Sequence, residues 1–262
     1  MSPSFPDGSP PEATRALPRP KTKELERFRR SRRHPRPTQF DYLHHRELLN
    51  DLTVALDAVP GHVKDVVDIF CGTRPYEDLL PDGARVVGLD VEDPWGVVDV
   101  VSDEFLPFED ESFDLAICME AFFYVPDPQH GVSEIRRVLR PGGTVLIAVP
   151  LLWHYDRTIL EHRFTGPELE ALFEDWEDVR VVENGGRGVS WALLTGHLFY
   201  LREKMLSHRA RRVFSPFFKA IYLGVNAIGA LIESRERRRL RRADPHFTLP
   251  PNLMLTARKP GG

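Results

Sequence analysis

The chain has 262 residues, 42% of them hydrophobic, which is enough for one large α/β domain with additions. Its two cysteines are too few for a disulfide framework, and the first thirty residues contain no apolar run of the kind that a secretion signal needs. We therefore expect a protein of the reducing cytoplasm.

Charge is distributed unevenly along the chain, although the net charge is only −4. The centre, 41–185, holds 10 Lys and Arg against 31 Asp and Glu, whereas the two flanks together hold 25 against 8. Basic flanks can bind the phosphates of an anionic membrane surface or of nucleic acid. Solvated helix faces and a disordered tail explain the same pattern equally well.

The N-terminal segment 1–38 is predicted to be a disordered, basic extension. Its first part, 1–20, is rich in Pro, Ser and Gly without apolar periodicity, and 21–37 is a basic run interrupted by two prolines. From 40 to 59 leucines recur at helical spacing. The folded domain is therefore predicted to cover 39–262.

Beyond residue 60, short apolar runs alternate with segments of helical pattern. This alternation predicts a mostly parallel sheet with helices on both faces. Thr165, Pro167 and Glu168 suit the start of one of these helices. The predicted strands are 66–70, 85–91, 97–101, 113–119, 144–149, 179–182 and 253–257.

The pattern changes after residue 185. No strand-like alternation occurs over about 189–242, which is predicted to form two or three helices before a last strand at about 252–258. The ligand-binding core would then cover 60–185, with a helical insertion between its sixth strand and the last one.

Candidate ligand-binding residues follow the first two strands, at the edge where α/β sheets bind ligands. Asp68 lies near the end of the first strand, and Cys71-Gly72 forms the turn behind it, where glycine lets the backbone approach a ligand. Asp90 ends the second strand about twenty residues later, a spacing that suits a carboxylate bound to two ribose hydroxyls. No Gly-x-Gly-x-x-Gly follows the first strand, which disfavours a dinucleotide-dependent dehydrogenase.

Five short motifs follow one another across 66–150. They are Asp68-Ile-Phe-Cys-Gly72, Gly88-Leu-Asp90, Leu106-Pro-Phe108, Phe113-Asp114 and Arg137-Val-Leu-Arg-Pro-Gly-Gly143. In this order they resemble the class I S-adenosylmethionine-dependent methyltransferases, and most closely the broad group that includes quinone-biosynthesis methyltransferases. The resemblance implies a Rossmann-like methyltransferase fold, with a seven-stranded, mostly parallel sheet, an antiparallel last strand and S-adenosylmethionine as cofactor.

The resemblance also implies where the cofactor lies. Its methionine part would lie between Asp68 and Gly72, and its ribose hydroxyls would bind Asp90. Adenine is expected beside 103–105, and the sulfonium above 119–120. The full set of implied cofactor-binding residues is Asp68, Phe70, Cys71, Gly72, Arg74, Asp90, Val91, Asp103, Glu104, Phe105, Met119 and Glu120.

The sequence departs from the family pattern at Arg74-Pro75, where a further glycine is common. Proline restrains its own φ and the residue before it, so the turn is predicted to be preset, with Arg74 meeting the cofactor carboxylate. Cys71 and Cys118 are predicted to serve packing. No Cys/His set has zinc spacing, and we expect no metal.

Candidates for acid–base chemistry follow the fifth strand. Methyl transfer depends mainly on alignment in a dry site, but a hydroxyl acceptor gains from a base. His154, Tyr155 and Asp156 are the predicted catalytic residues, with His154 as the base because its reference pKa suits neutral pH. A surface or packing role for His154 is the alternative.

The segment 213–232 is mostly apolar, contains Lys219 and Asn226, and has arginines on both sides. Its length allows a membrane span, but the polar residues and the symmetrical arginines disfavour one. A lid over the acceptor pocket and a helix lying on an anionic membrane surface, with the protein peripheral on the inner face of the membrane, both remain open.

The sequence thus predicts a methyltransferase for a small-molecule, lipid or glycan acceptor, with oxygen as the expected atom. A non-catalytic protein that keeps the fold as a scaffold is one alternative. A nucleic-acid methyltransferase is another, but Met119-Glu120-Ala121-Phe122 stands where some base-modifying relatives carry an Asn/Asp-Pro-Pro-Tyr/Phe segment. Nucleic acid is therefore not the expected partner.

Overall fold

The computed structural model describes residues 23–103, 105–243 and 248–261, with the backbone alone for 237–243. The strands are β1 Asp65–Ile69, β2 Arg85–Asp90, β3 Val100–Val101, β4 Phe113–Met119, β5 Leu139–Pro150, β6 Glu177–Glu183 and β7 Asn252–Arg258. The helices are α1 Lys23–Arg33, α2 Tyr42–Asp57, α3 Pro128–Val138, α4 Gly166–Leu172, α5 Arg187–Met205 and α6 His208–Ala243.

The seven strands form one sheet in the order β3-β2-β1-β4-β5-β7-β6. The pairs among β1 to β5 are parallel, whereas β7 runs antiparallel to both β5 and β6. The strand order reverses between β1 and β4, so the carboxyl ends of β1, β2 and β4 surround the crevice where such sheets bind ligands. The predicted α/β fold with an antiparallel last strand is confirmed.

Both faces of the sheet are covered by helices, because its central strands are apolar on both sides. Residues 66–69 include three apolar side chains without solvent exposure, which contribute to separate clusters on the two faces. On one face α3 packs Val132, Ile135 and Val138 at spacings of three residues, and on the other α2 packs leucines at spacings of four. This covering fixes the sheet edge at which the candidate ligand residues lie.

Strand β5 begins five residues earlier than the sequence indicates, because the Pro141-Gly142-Gly143 turn is part of it. The register with β4 shifts between Leu139 and Thr144, so the turn is a bulge in the strand. Gly142 has φ +78 and donates its N–H to the carbonyl of Lys259, which lies just beyond β7. By contrast α4 begins as predicted, with the capping box of Thr165 and Glu168 in place.

The expectation of a wholly disordered extension over 1–38 is wrong for 23–33, which form α1; residues 1–22 lie outside the described part. Leu25 is 1% exposed beneath this helix, and Arg29 donates to the carbonyl of Thr73. Arg33 forms an ion pair with Asp78. Residues far along the chain stabilise this helix, so the basic sequence of the segment alone does not predict it.

The predicted helical insertion consists of α5 and α6, joined by a short turn at residues 206–207. The two helices approach closely where both carry glycine: a Cβ atom added to Gly188 would lie 2.3 Å from the carbonyl oxygen of Gly229. The backbone N–H of Gly188 also donates to a carboxylate oxygen of Glu233 (N···O 3.1 Å). Such proximity requires the absence of a side chain at residue 188.

The Gly188→Ala substitution is expected to destabilise the protein by about 1–3 kcal/mol, because the added methyl group forces α5 and α6 apart. Gly224→Ala is the matched control: it lies on the exposed side of α6, where a Cβ meets no atom within 4 Å. It is expected to stabilise by up to about 1 kcal/mol through helix propensity. Urea unfolding of both variants measures the difference, and equal stabilities would contradict the close packing.

Candidate active site

A cavity of about 1100 Å³ opens at the carboxyl ends of β1, β2 and β4. Its wall comes from the loops that follow these strands, from α1 and from the loop after β5. Ten of the residues implied as cofactor-binding line it: Asp68, Phe70, Cys71, Gly72, Asp90, Val91, Asp103, Phe105, Met119 and Glu120. Glu104 lies outside the described residues.

The turn after β1 is joined directly to the end of β2. Gly72 has φ +53, a conformation that favours glycine, and donates its N–H to Asp90 Oδ2 (N···O 2.8 Å). The other oxygen, Oδ1, accepts the N–H of Val91 (2.8 Å). Each carboxylate oxygen retains acceptor capacity, so Asp90 can also bind two neighbouring hydroxyls. This geometry suits a ribose.

Arg74 does not line the cavity, and the prediction that it meets the cofactor carboxylate is wrong. Its guanidinium is fully buried beneath the turn, where it pairs with Asp99 and donates to Glu77 Oε1 (3.1 Å) and to the carbonyl of Val86 (3.3 Å). A buried guanidinium needs several acceptors, and three chain segments supply them here. Arg74 therefore holds the turn in place from behind.

Asp68 lies on the cavity wall and is only 3% exposed. Burial raises the pKa of its carboxyl to about 7, and the nearby Arg74 offsets this only in part. No donor among the described residues forms a hydrogen bond with it. A cation bound beside Asp68 would supply the missing partner, which fits the ammonium group of a methionine moiety.

Glu120 presents a negative charge to the cavity. Burial alone would raise its pKa, but His44 and Arg32 outweigh burial and hold the pKa at about 2. The His44 Nε2–Glu120 Oε2 distance is 3.2 Å and the Arg32 Nη1–Glu120 Oε2 distance is 3.6 Å. The other oxygen, Oε1, is buried with no hydrogen-bond partner in the part of the chain that the structure describes. The acceptor capacity of this oxygen is therefore not used by the described residues.

His44 was not identified from the sequence, because α2 looks like an ordinary core helix. Two consecutive histidines in that helix were the available signal. With Glu120, His44 and His45 place potential metal-binding atoms within 4.8 Å of one another. However, each histidine already pairs with a carboxylate, His45 with Asp41 at 3.2 Å, and the Arg32 guanidinium lies beside Glu120. We interpret the group as a hydrogen-bonded network that positions Glu120.

Helix α1 closes one side of the cavity. Phe28 and Arg32 line it, and the Phe28 ring packs edge-on against Trp95 with 5.5 Å between ring centres. The Arg29 Nε donates to the carbonyl of Thr73 at 2.6 Å. Thr73 lies next to Cys71-Gly72, the glycine turn after β1. The N-terminal helix is thus attached to the same turn that holds Asp90.

The predicted catalytic residues His154, Tyr155 and Asp156 do not line the cavity, so a catalytic role for them does not fit the geometry. All three are exposed, and the His154 ring stacks against His197 at 5.4 Å. Asp156 accepts both the N–H and the hydroxyl of Thr158. This turn reverses the loop, and its apolar residues Ile159 and Leu160 face the cavity instead.

The comparisons with known proteins agree with this geometry. A methyltransferase domain family matches residues 67–147. The demethylmenaquinone methyltransferase of Beutenbergia cavernae is 32% identical over 195 residues, which cover 61% of this chain and 77% of the relative. The ubiquinone biosynthesis O-methyltransferase of Hahella chejuensis is 33% identical over 107 residues, 35% of this chain and 44% of the relative. The chain spans less than half the length of several curated relatives that it matches.

Among solved structures, the cyclase SpnF has a similar fold, with a TM-score of 0.53, 20% identity and 84% of each chain covered. The sheet order and the cavity define the Rossmann-like methyltransferase fold. The matched domain and the demethylmenaquinone methyltransferase relative show that the chain belongs to the class I S-adenosylmethionine-dependent methyltransferases. S-adenosylmethionine is the cofactor of that family, and the residues described above fit it.

Affinity for S-adenosylmethionine is expected to rise from pH 5.5 to pH 7.5, because the cationic ligand favours the ionised form of Asp68. With a pKa of about 7, Asp68 must release a proton on binding below that pH, which weakens affinity by up to about tenfold per pH unit. Calorimetry across this range measures the slope. Asp68→Asn should remove most of it, and an unchanged slope in that variant would contradict the assignment.

Loss of the attachment between α1 and the glycine turn is expected to speed the release of the bound nucleoside. Arg29→Ala removes the hydrogen bond to Thr73, worth about 1 kcal/mol or about fivefold in the dissociation rate. Arg30→Ala, an exposed position of the same helix, is the matched control. Stopped-flow displacement of S-adenosylhomocysteine measures both rates, and identical rates would show that α1 does not retain the ligand.

Proposed function

We propose that this protein transfers the methyl group of S-adenosylmethionine to a small-molecule acceptor, with oxygen as the expected atom. The observation that carries the proposal is the Gly72–Asp90 hydrogen bond at the cavity wall. When bound, S-adenosylmethionine supplies a methyl group activated by a sulfonium. In the proposed complex Asp90 holds the ribose, Asp68 faces the ammonium, and Met119 and Glu120 lie next to the reacting end.

The cavity has room for an acceptor beside the cofactor. Drug-sized ligands occupy pockets of about 300–1,000 Å³, and this cavity measures about 1100 Å³. One part of its wall is apolar, with Tyr124, Val125, Ile159 and Leu160. This lining favours an acceptor with a substantial apolar body. Relatives named for ubiquinone and menaquinone synthesis support the same choice.

Glu120 is the proposed contact for the acceptor hydroxyl. Its free oxygen can accept a hydrogen bond from that group and so direct a lone pair of the acceptor oxygen toward the methyl group. With a pKa of about 2, Glu120 orients the hydroxyl and is a poor acceptor of its proton, so the proton released on methylation passes to solvent water. His44 then acts as a positioning residue, because it holds the carboxylate from the side away from the cavity.

A lipid or glycan acceptor is the alternative within the same activity. Large apolar residues of α5 and α6 that face solvent, among them Leu198 and Phe217, favour the lipid, together with a cytoplasmic location peripheral to the inner face of a membrane. A non-catalytic scaffold is less consistent with a cavity that presents the ionised, partly unpaired carboxylate of Glu120.

The Asp90→Asn substitution tests the proposal. It keeps an acceptor oxygen for the Gly72 N–H but removes the charge that strengthens bonds to the ribose, and affinity for S-adenosylmethionine is expected to fall about 10- to 100-fold. Asp82→Asn, on an exposed loop, is the matched control. Calorimetry with S-adenosylmethionine and with its demethylated product measures both variants.

Incubation of cell extract with the methyl-labelled cofactor then identifies the acceptor class. Label in a small organic-soluble compound, lost in Asp90→Asn and retained in Asp82→Asn, is the expected result. Cofactor binding without any labelled product would contradict methyl transfer, and failure to bind the cofactor would contradict the site itself.

A further inference from the structure

The helices α5 and α6 form a hairpin whose outward face is apolar. On α5 the large apolar side chains that face solvent recur at spacings of three and four residues, which places them on one stripe. They are Trp191, Leu194, Leu198, Leu201 and Met205, with exposures from 38% to 79%. No charged residue occurs on this helix between Gly188 and Leu201. A solvated helix face would carry polar residues here.

Helix α6 continues the same character. Its buried side packs Phe218, Tyr222 and Val225 against the domain. Its exposed large apolar residues are Val213, Phe214, Phe217, Leu223, Ile228 and Leu231, each about half exposed or more. Lys219 is the one charged residue between Val213 and Ile232. An exposed apolar surface of this extent on two adjacent helices marks an interaction surface.

The exposed charges at the tip of the hairpin are basic. Arg202 and Lys204 lie at the end of α5, and Arg209 and Arg212 at the start of α6. The acidic residue among them, Glu203, accepts a hydrogen bond from the Tyr222 hydroxyl (2.7 Å). An apolar face beside exposed arginine and lysine is complementary to the headgroups and acyl boundary of an anionic bilayer.

The residues 208–236 are long and apolar enough to cross a membrane by length and composition. Their contacts with the domain argue against a span. Asn226 donates to the carbonyls of Pro37 and Gln39 (2.9 and 2.7 Å), and Glu233 accepts from Gly188. Spanning would break these buried polar contacts and place the groups in hydrocarbon. A helix that lies along the membrane surface keeps these contacts.

We propose that the outward face of the α5–α6 hairpin binds an anionic lipid bilayer, with the hairpin in the interfacial plane. The apolar stripes of both helices enter the headgroup region, and the basic tip contacts lipid phosphates. This membrane binding needs neither cofactor nor acceptor, so it can be tested independently of methyl transfer. If the acceptor is a lipid, the same surface brings the protein to it.

Flotation of the full-length protein with vesicles tests the proposal. Phosphatidylcholine vesicles with added phosphatidylglycerol are expected to bind the protein, and vesicles of phosphatidylcholine alone to bind it at least about tenfold less. The variants Leu198→Glu, Phe217→Glu and Arg209→Ala/Arg212→Ala are expected to bind the anionic vesicles at least about tenfold less than the unmodified protein. Val54→Glu, at a similarly exposed apolar position on α2 (62% exposed), should bind like the unmodified protein. Unchanged calorimetric affinity for S-adenosylmethionine would show that each variant is folded.

Four results would overturn the proposal. One is an absence of binding to anionic vesicles, and another is binding that Leu198→Glu and Phe217→Glu leave unchanged. The third is a dimer in sedimentation velocity that these two substitutions dissociate, since the apolar face would then belong to a contact between two copies. Resistance of bound protein to alkaline carbonate extraction would replace interfacial binding with a span.

Discussion

The hydrogen bond between Gly72 and Asp90 joins the ends of two neighbouring strands, and the cavity depends on it. Arg74, paired with Asp99 and Glu77, supports the turn after β1 from behind, at the place where the turn reaches Asp90. The Arg74–Asp99 ion pair therefore lies outside the cavity lining yet supports the turn that donates to Asp90, the proposed ribose-binding carboxylate. Preorganisation of this kind lowers the ordering cost that a ligand would otherwise incur on binding.

The sequence allowed the prediction of those features whose cause is local. Apolar runs located the strands, the Thr165–Glu168 capping box located α4, and the spacing of Asp68, Gly72 and Asp90 located the cavity. The roles of Arg74 and His44 could not be predicted, because their partners lie up to 76 positions away. His154 has the side-chain chemistry of a base, but the turn at Asp156 directs its loop so that other residues face the cavity.

Similarity of fold does not determine the reaction. SpnF, a cyclase by name, shares this architecture at 20% identity, so the chemistry must reside in side chains that line the cavity. In this protein the lining includes the carboxylates of Asp68 and Asp90 on either side of the glycine turn, the ionised Glu120, and a group of apolar residues. In the proposed function, the carboxylate of Glu120 marks the acceptor side of the cavity, and Asp68 and Asp90 mark the side of the nucleoside.

Helix α1 contacts both halves of this site, through Arg29 at the glycine turn and through Arg32 beside Glu120. Any displacement of α1 from the glycine turn would therefore also move the Arg32 guanidinium away from Glu120. The closure of this side of the cavity and the charge balance around Glu120 thus depend on one helix, which lies outside the sheet and its crossover helices.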